Sequence, residues 1–407
     1  MAVTRVGTEE FSVYDAIVVG ARCAGSATAL LLARSGWRVL LLDRARFPSD
    51  TMSTSYIHQP GVQRLAQWDL LNEVIASGCP RLDRISYVVE GVRLTGSAPR
   101  LGEVDSAYAP SRYVLDKILV DATVRAGVDF RDGGRVVGLV VEHDRVVGVR
   151  VRGTGAVETY HAPLVVGADG MRSSVARWCG ADVVVRDPVL SCVYYSTWRD
   201  LPAHFECYER TGGWVAVIPT HDQITMVATY LPQQRFAEIR RDALAVHLAQ
   251  IDATAPELRE RLRAGVRVGR VVGHGDQQNF FRQAYGPGWA LVGDAAHHKD
   301  SITARGITDA FLQAELLAMA VGPDPRDEAV VRAGLERYSA QRDAMLADAY
   351  QGALSLARLR VSEDRLTLLR AVSDSAESTQ RYLGLMAGMS TIDDVLTPEL
   401  LDACEAR

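Results

Sequence analysis

Residues 13–43, VYDAIVVGARCAGSATALLLARSGWRVLLLD, constrain the fold more than any other stretch. An apolar run ending at Val19 reads as a strand, and a glycine turn follows it. Apolar Ala27, Leu30, Leu31 and Ala33 then recur at helical spacing until Gly36 breaks the pattern and a second apolar run ends at Asp43. This is a βαβ unit whose helix opens at the glycine turn. Such a helix end presents unpaired N–H groups and partial positive charge, which suits a pyrophosphate; Gly25 permits close helix-to-strand packing, and Asp43 can accept from ribose hydroxyls. An adenine dinucleotide is expected. The candidate binding residues are Gly20, Ala21, Arg22 and Gly25 in the turn, with Asp43 and the adjoining Arg44. In a G-x-G-x-x-G reading Arg22 replaces the middle glycine, so its side chain either meets the pyrophosphate or points to solvent.

Further along, RVVGLVVEH, RVVGVRVRG and AVETYHAPLVVG alternate like a meander whose last strand delivers Ala168-Asp169-Gly170 into a helix, MRSSVARW. A second strand-to-helix junction, WALVGDAAHHKD, puts Asp294 at a strand end. Both junctions set a carboxylate where α/β folds bind ligands, outside the carboxyl ends of strands. Between them, residues 187–232 are strand-like and rich in aromatic and β-branched side chains. After Thr308 the pattern turns helical, over 309–320 and 333–358, and again over 363–407 with a break near Thr397-Pro398. The expected class is α/β: a Rossmann-like dinucleotide domain interleaved with a β-sheet domain and followed by a helical C-terminal region.

Composition excludes several alternatives. With 45 Lys plus Arg against 50 Asp plus Glu, the net charge of −5 gives no basic surface for nucleic acid. Almost every basic residue is Arg; lysine occurs only at Lys117 and Lys299. The six cysteines are scattered without metal-like spacing, as reduced thiols in a cytoplasmic protein would be. No apolar run reaches membrane-spanning length, and MAVTRVGTEEF lacks a signal-peptide core.

Three motifs in order, GARCAG with Asp43, the ADG at 168–170 and the GDAAH at 293–297, resemble the para-hydroxybenzoate hydroxylase-like (class A) FAD-dependent monooxygenases, near the halogenase and geranylgeranyl reductase-like branches. The resemblance implies a discontinuous FAD domain (1–80, 109–186 and 270–330), a substrate domain (81–108 and 187–269) and C-terminal helices (331–407). It implies that Gly20, Gly25 and Asp43 hold the ADP half of FAD, that Asp294 meets the ribityl chain, and that Asp169 and Arg112 support the cofactor. The helix opening at Gly306 and Ile307 would aim N–H groups at the flavin pyrimidine edge, where reduction develops negative charge. Two departures stand out: the family's Pro-and-two-Gly loop is here Ser301, Ala304 and Gly306, and residues 47–61 carry an ST-x-x-I-H segment shared by bacterial flavoproteins of diverse reactions.

On this resemblance the activity is oxygenation of a small or polycyclic, aromatic organic substrate by O2 and NADPH or NADH, through a flavin C4a-hydroperoxide, with FAD carrying the redox chemistry. An independent flavin reductase is the alternative electron source. Two further readings are a reductase or dehydrogenase of the geranylgeranyl reductase-like type and a flavin- or ligand-binding protein without turnover. His58 and His297 are the candidate catalytic residues, able to orient a substrate hydroxyl or move a proton. The commoner use of such histidines is to anchor a loop by hydrogen bonds. No metal is expected, because the adjacent histidines of His297-His298-Lys299-Asp300 diverge. Tyr194, Tyr195, Trp198, Trp214 and His204 are candidate pocket residues as a group, set against simple core packing. Gly213–Pro219 partly matches the halogenase tryptophan motif, but Ala216 replaces its second tryptophan and both lysines sit in other contexts, so halogenation is disfavoured.

Overall fold

A computed structural model describes residues 14–239 and 242–407. The N-terminal stretch read above for a leader, residues 1–11, lies outside them. Ala16–Val19, Val39–Leu42, Leu164–Gly167, Asp129–Arg131 and Trp289–Leu291 form a parallel sheet, and Tyr285–Gly286 adds an antiparallel edge. AIVV and VLLL are buried along their whole length because the sheet is covered on both faces. Strand alternation assigns the two faces. Ala16, Val18 and Leu41 pack with Leu317, Val321 and Tyr338 of the helices, whereas Ile17, Val19 and Leu40 pack with Val149 and Val151 of the antiparallel meander 135–161.

A second sheet of seven strands runs in the order Val266–His274, Ser191–Arg199, Ile224–Pro232, Gly213–Pro219, Phe205–Arg210, Ile85–Val89, Val92–Gly96. Its neighbours are antiparallel except for the parallel pair Phe205–Arg210 and Ile85–Val89. One face, with Val193, Tyr195, Trp214, Ala216 and Ile218, lies under the C-terminal helices. The other, with Trp198, Val215 and Val217, lies under Ala243–Thr254 and Pro256–Ala264. Arg365, from helix Glu363–Ser373, fixes the first arrangement through two bonds of 2.6 and 2.8 Å to buried Glu209. Bidentate geometry of this kind aligns two planar groups as well as two charges.

The late helices start at built caps. Glu328–Ala357 begins earlier than its apolar spacing suggests, because Asp327 accepts from the Val330 N–H. Pro398 opens the last helix behind the Thr397 cap, at the expected break. MRSSVARW is helical only over Ser174–Trp178, since Ser173 caps at Ala176 and holds Met171 and Arg172 in a turn. No helix among the described residues is long and apolar enough to cross a membrane.

Candidate functional site

One cavity of about 810 Å³ runs between the glycine turn, the ADG and GDAAH junctions, and the start of helix Gly306–Val321. That volume lies within the ordinary range of cofactor and small-ligand sites. Its first wall follows from the βαβ geometry. Gly20 has φ of +106°, and a Cβ there would meet the Ala168 carbonyl oxygen at 2.4 Å; a Cβ on Gly25 would lie 1.6 Å from the Gly20 oxygen. Only glycine lets the turn close against both neighbours. The helix Cys23–Arg34 makes its first bond from the Ser26 N–H to the Arg22 carbonyl, so the earlier donors remain for a ligand. Asp43 accepts from the Ala21 and Ala45 N–H groups at 2.7 and 2.8 Å and lines the cavity beside exposed Arg44.

Arg22 does not extend into solvent. It pairs with Asp116 at 2.6 Å and donates to Ser49 and the Asp50 carbonyl, tying the turn to the loop after Phe47. Arg112 meets the same carboxylate through two bonds of 3.0 Å, from the first turn of Arg112–Arg125. Asp116 is fully buried, and the Cys23 thiol also donates to it at 3.4 Å. Sequence reasoning missed Asp116; the available signal was its i, i+4 spacing from Arg112. Asp169 accepts from the Ser173 hydroxyl and the Ser174 and Val175 N–H groups, so it holds its own junction while lining the cavity. Asp294 is exposed on the cavity wall, without a hydrogen-bond partner among the described residues.

The second wall is the 299–307 segment. Asp300 is buried and accepts from the Ser191 hydroxyl at 2.7 Å, and burial pushes its carboxyl up to about 6. Gln277 receives the Ser301 N–H and hydroxyl, and the Tyr230 hydroxyl donates to the Ser301 carbonyl. Ala304 occupies left-handed backbone at φ of +52°, a conformation that glycine adopts more easily. Gly306 and Ile307 then open the helix on the cavity side; a Cβ on Gly306 would meet nothing within 4 Å. The Asp309 N–H makes the first helical bond, to the Arg305 carbonyl, so the donors before it remain available.

Buried polar groups gather behind this segment. Lys299 pairs with Asp309, and Arg305 Nε stands 3.4 Å from the other Asp309 oxygen without forming a hydrogen bond. Burial alone would raise the Asp309 carboxyl, but Lys299 and Arg305 outweigh it and hold the group at about 2. His297 lines the cavity against Phe281, its Nε2 unpartnered, and burial followed by the Lys299 charge keeps its pKa well below the ordinary value. Asp309 and Gln313 also line the cavity with a buried oxygen each lacking a partner. His58 lies behind the wall rather than in it. Its Nε2–H donates to the Thr303 carbonyl at 3.0 Å, and burial, then Arg305, pulls its pKa down to about 3.

The aromatic group expected to form a pocket does not act as one. Only Tyr195 lines the cavity. Strand alternation sends Trp198 and Tyr194 to other packing clusters, Trp214 is sealed under the C-terminal helices, and His204 accompanies Ser86.

A doubly covered parallel sheet with a glycine turn, two carboxylate junctions and one cavity spanning them defines a dinucleotide-dependent protein. The chain belongs to the FAD binding domain family, whose model matches residues 13–353, and is a flavin-dependent oxidoreductase of that superfamily. It is 28% identical over 336 residues to digeranylgeranylglycerophospholipid reductase 1 of Methanococcoides burtonii, covering 80% of this chain and 79% of the relative. Its fold matches the myxobacterial chondrochloren halogenase CndH with a TM-score of 0.79 at 25% identity, over 97% and 96% of the two chains. It also matches PqsL of Pseudomonas aeruginosa, at a TM-score of 0.70 and 20% identity over 91% and 99%, a likeness of fold alone. The residues present fit FAD: a glycine-only cradle, free helix N-terminal donors at Cys23 and Gly306, and a free Asp294 carboxylate all face one cavity.

Proposed function

We propose that the protein is an FAD-dependent monooxygenase that hydroxylates a compact, polar organic molecule of the aromatic class, with NADPH or NADH as transient reductant. FAD, when bound, supplies the redox chemistry between reductant, O2 and substrate. The carrying observation is the character of the cavity away from the glycine turn. Its wall there is mostly polar, with Gln277, His274, Asp300 and Ser301 beside Val193 and Tyr195, and the neighbouring sheet face is filled by Tyr87, Trp214 and Tyr230 under Tyr382 of helix Ala376–Ala387. A compact molecule with hydrogen-bonding groups suits that wall better than a long isoprenoid chain.

In this reading the Gly20–Gly25 turn, with Ala21 and Arg22, takes the pyrophosphate, Asp43 and Arg44 the ribose end, and Asp294 the ribityl hydroxyls. Arg112 braces the turn through Asp116, Asp169 supports the cofactor from its own junction, and the Gly306–Ile307 amides meet the flavin pyrimidine edge. His297 stands at the wall as a neutral, proton-accepting nitrogen, and His58 positions the 301–306 segment through Thr303. The segregation of the two large sheets supports the proposed division at 80/81, 108/109, 186/187, 269/270 and 330/331, except that strand Val266–His274 runs whole in the second sheet and helix Glu328–Ala357 is continuous, which moves the last two boundaries to 274/275 and 327/328. The identity to a digeranylgeranylglycerophospholipid reductase favours a second reading, reduction of a substrate double bond on the same scaffold.

The test begins anaerobically. FAD-loaded protein is mixed with NADPH or NADH, with and without a panel of hydroxy- and amino-substituted aromatic compounds, and the oxidised-flavin absorbance is followed before 18O-labelled O2 is admitted. Compound-accelerated bleaching followed by 18O in the product is expected. Anaerobic return of the oxidised-flavin absorbance on adding geranylgeraniol to the reduced protein, with saturation of its double bonds, would establish the second reading instead.

A further inference from the structure

The Lys299–Asp309 pair has no part in the fold of the parallel sheet, yet it is buried on the wall of the cavity. Lys299 is 7% exposed and Asp309 is 3% exposed, and both line the cavity beside the first turn of Gly306–Val321. Burying an ammonium and a carboxylate costs more than their attraction returns unless the remaining valences are satisfied. Here they are not. Asp309 Oδ1 lacks a hydrogen bond, as do His297 Nε2 and Gln313 Oε1, which line the same cavity. Arg305 does not complete the set: its guanidinium reaches Gly388, at the C-terminus of helix Ala376–Ala387, where a Cβ would lie 1.7 Å from its Nη1. That position draws a cation toward the helix's partial negative end.

The charged and titratable groups facing Lys299 are therefore Asp309, Arg305, Asp294, His297 and His58, with both histidines neutral. Lys299 and Arg305 balance two carboxylates, buried Asp309 and exposed Asp294, so removing either member of the Lys299–Asp309 pair leaves its partner's charge uncompensated on this wall. The wall also carries the free N–H groups of Gly306 and Ile307. We infer that Lys299 is a positioning residue that tunes the bound flavin electrostatically, favouring its anionic reduced form, and that Asp309 limits this effect. The inference rests on the proposed FAD site and adds to it a side-chain charge beyond the helix N-terminus. It assigns the lysine no bond-making step. Its consequence is a difference in how tightly the protein holds the two oxidation states of the cofactor.

The experiment uses full-length protein loaded with FAD, as wild type, Lys299→Met, Lys299→Arg and Asp309→Asn, with midpoint potentials read by dye equilibration. Lys299→Met is expected to weaken binding of reduced relative to oxidised FAD at least tenfold, which lowers a two-electron potential by about 30 mV or more. Asp309→Asn is expected to move it upward, and Lys299→Arg to keep it near wild type. Opposite signs separate charge from packing, because two packing defects have no reason to oppose each other. Shifts of the same sign, or a potential that Lys299→Met leaves in place, would overturn the inference while FAD uptake stays intact. Wild-type protein that takes up no FAD overturns the cofactor reading itself. Should Lys299→Met fail to fold, the upward shift of Asp309→Asn and the unchanged value of Lys299→Arg still decide the matter.

Discussion

Asp116 and Asp309 are both buried carboxylates set between two cations, and the cations of both line the same cavity. Asp116 is saturated: Arg22, Arg112 and the Cys23 thiol use both of its oxygens. Asp309 is not, since one oxygen meets Lys299 and the other has only a distant Arg305. A saturated hub fixes geometry, because every bond lost is a bond unreplaced. An open hub keeps an unused acceptor and a charge pair that a ligand in the cavity can feel, at a cost to the fold. The nucleotide turn thus rests on a structural clamp, and the wall near Gly306 on a charge device.

The largest expected effect tests the clamp. Asp116→Ala should destabilise the apoprotein by about 3–5 kcal/mol, the usual consequence of leaving a buried ion-pair partner uncompensated. Asp309→Ala should cost less, about 1–3 kcal/mol, because it removes a group that is already incompletely bonded and leaves Lys299 on a cavity wall instead of in the packed interior. Urea unfolding of the two variants measures both. Equal losses, or a larger loss at Asp309, would break the contrast between the hubs.

A smaller effect sharpens it through pH. His58 holds the wall carrying Asp309 through the Thr303 carbonyl and titrates at about 3, below the ordinary histidine value. Between that point and about 6.5 the unfolded chain binds a proton that the folded chain refuses, so stability rises with pH across this window and is lost on acidification. One proton corresponds to at most about 1.4 kcal/mol per pH unit. Asp300, raised to about 6, acts with the opposite sign from its ordinary value upward, because the folded chain keeps its proton longer. The wild-type curve mixes these with other buried histidines, His247 and His297 among them, whose pKa values burial also lowers. His58→Gln should remove only the His58 slope, visible as the difference between the variant and wild-type pH profiles; parallel profiles would remove His58 from the account.

The same contrast explains what could be read from the chain alone. The nucleotide side is written in local spacing: Gly20, Gly25 and Asp43 fall within one βαβ unit, and Arg112 stands four positions from Asp116. The α/β class, the family and the break at Thr397-Pro398 were legible for the same reason, because periodicity and caps are short-range signals. On the other wall the motifs pointed to Asp294, His297, Gly306 and Ile307, which line the cavity, but not to the Lys299–Asp309 pair. Lys299 meets Asp309 only when a loop folds back on a helix N-terminus, a tertiary event without periodicity. Lys299 did carry a sign, as one of two lysines in a chain that otherwise uses arginine. The aromatic strands misled for a physical reason: residue type marks a sheet, but alternation and the covering helices decide which face meets the cavity.

The smallest effect is expected at Ala304, where the segment departs from the glycine-bearing loop it resembles. Its backbone sits at φ 52° and ψ 29°, in left-handed space, between Thr303, which accepts from His58, and Arg305, which reaches Gly388. A Cβ there costs on the order of 1–2 kcal/mol, while glycine loses more entropy on folding, about 0.4–1 kcal/mol. The difference favours Ala304→Gly by roughly 0.5–1 kcal/mol, read as a higher urea midpoint with an unchanged slope. The neighbouring anchors are backbone or lie outside residue 304, so they persist in the variant, and the flavin potential should stay within the spread of repeat measurements. A stabilised protein with a displaced potential would mean that the strained backbone, and not only the Lys299 charge, tunes this wall. No gain in stability would mean that Ala304 sits in the loop without strain.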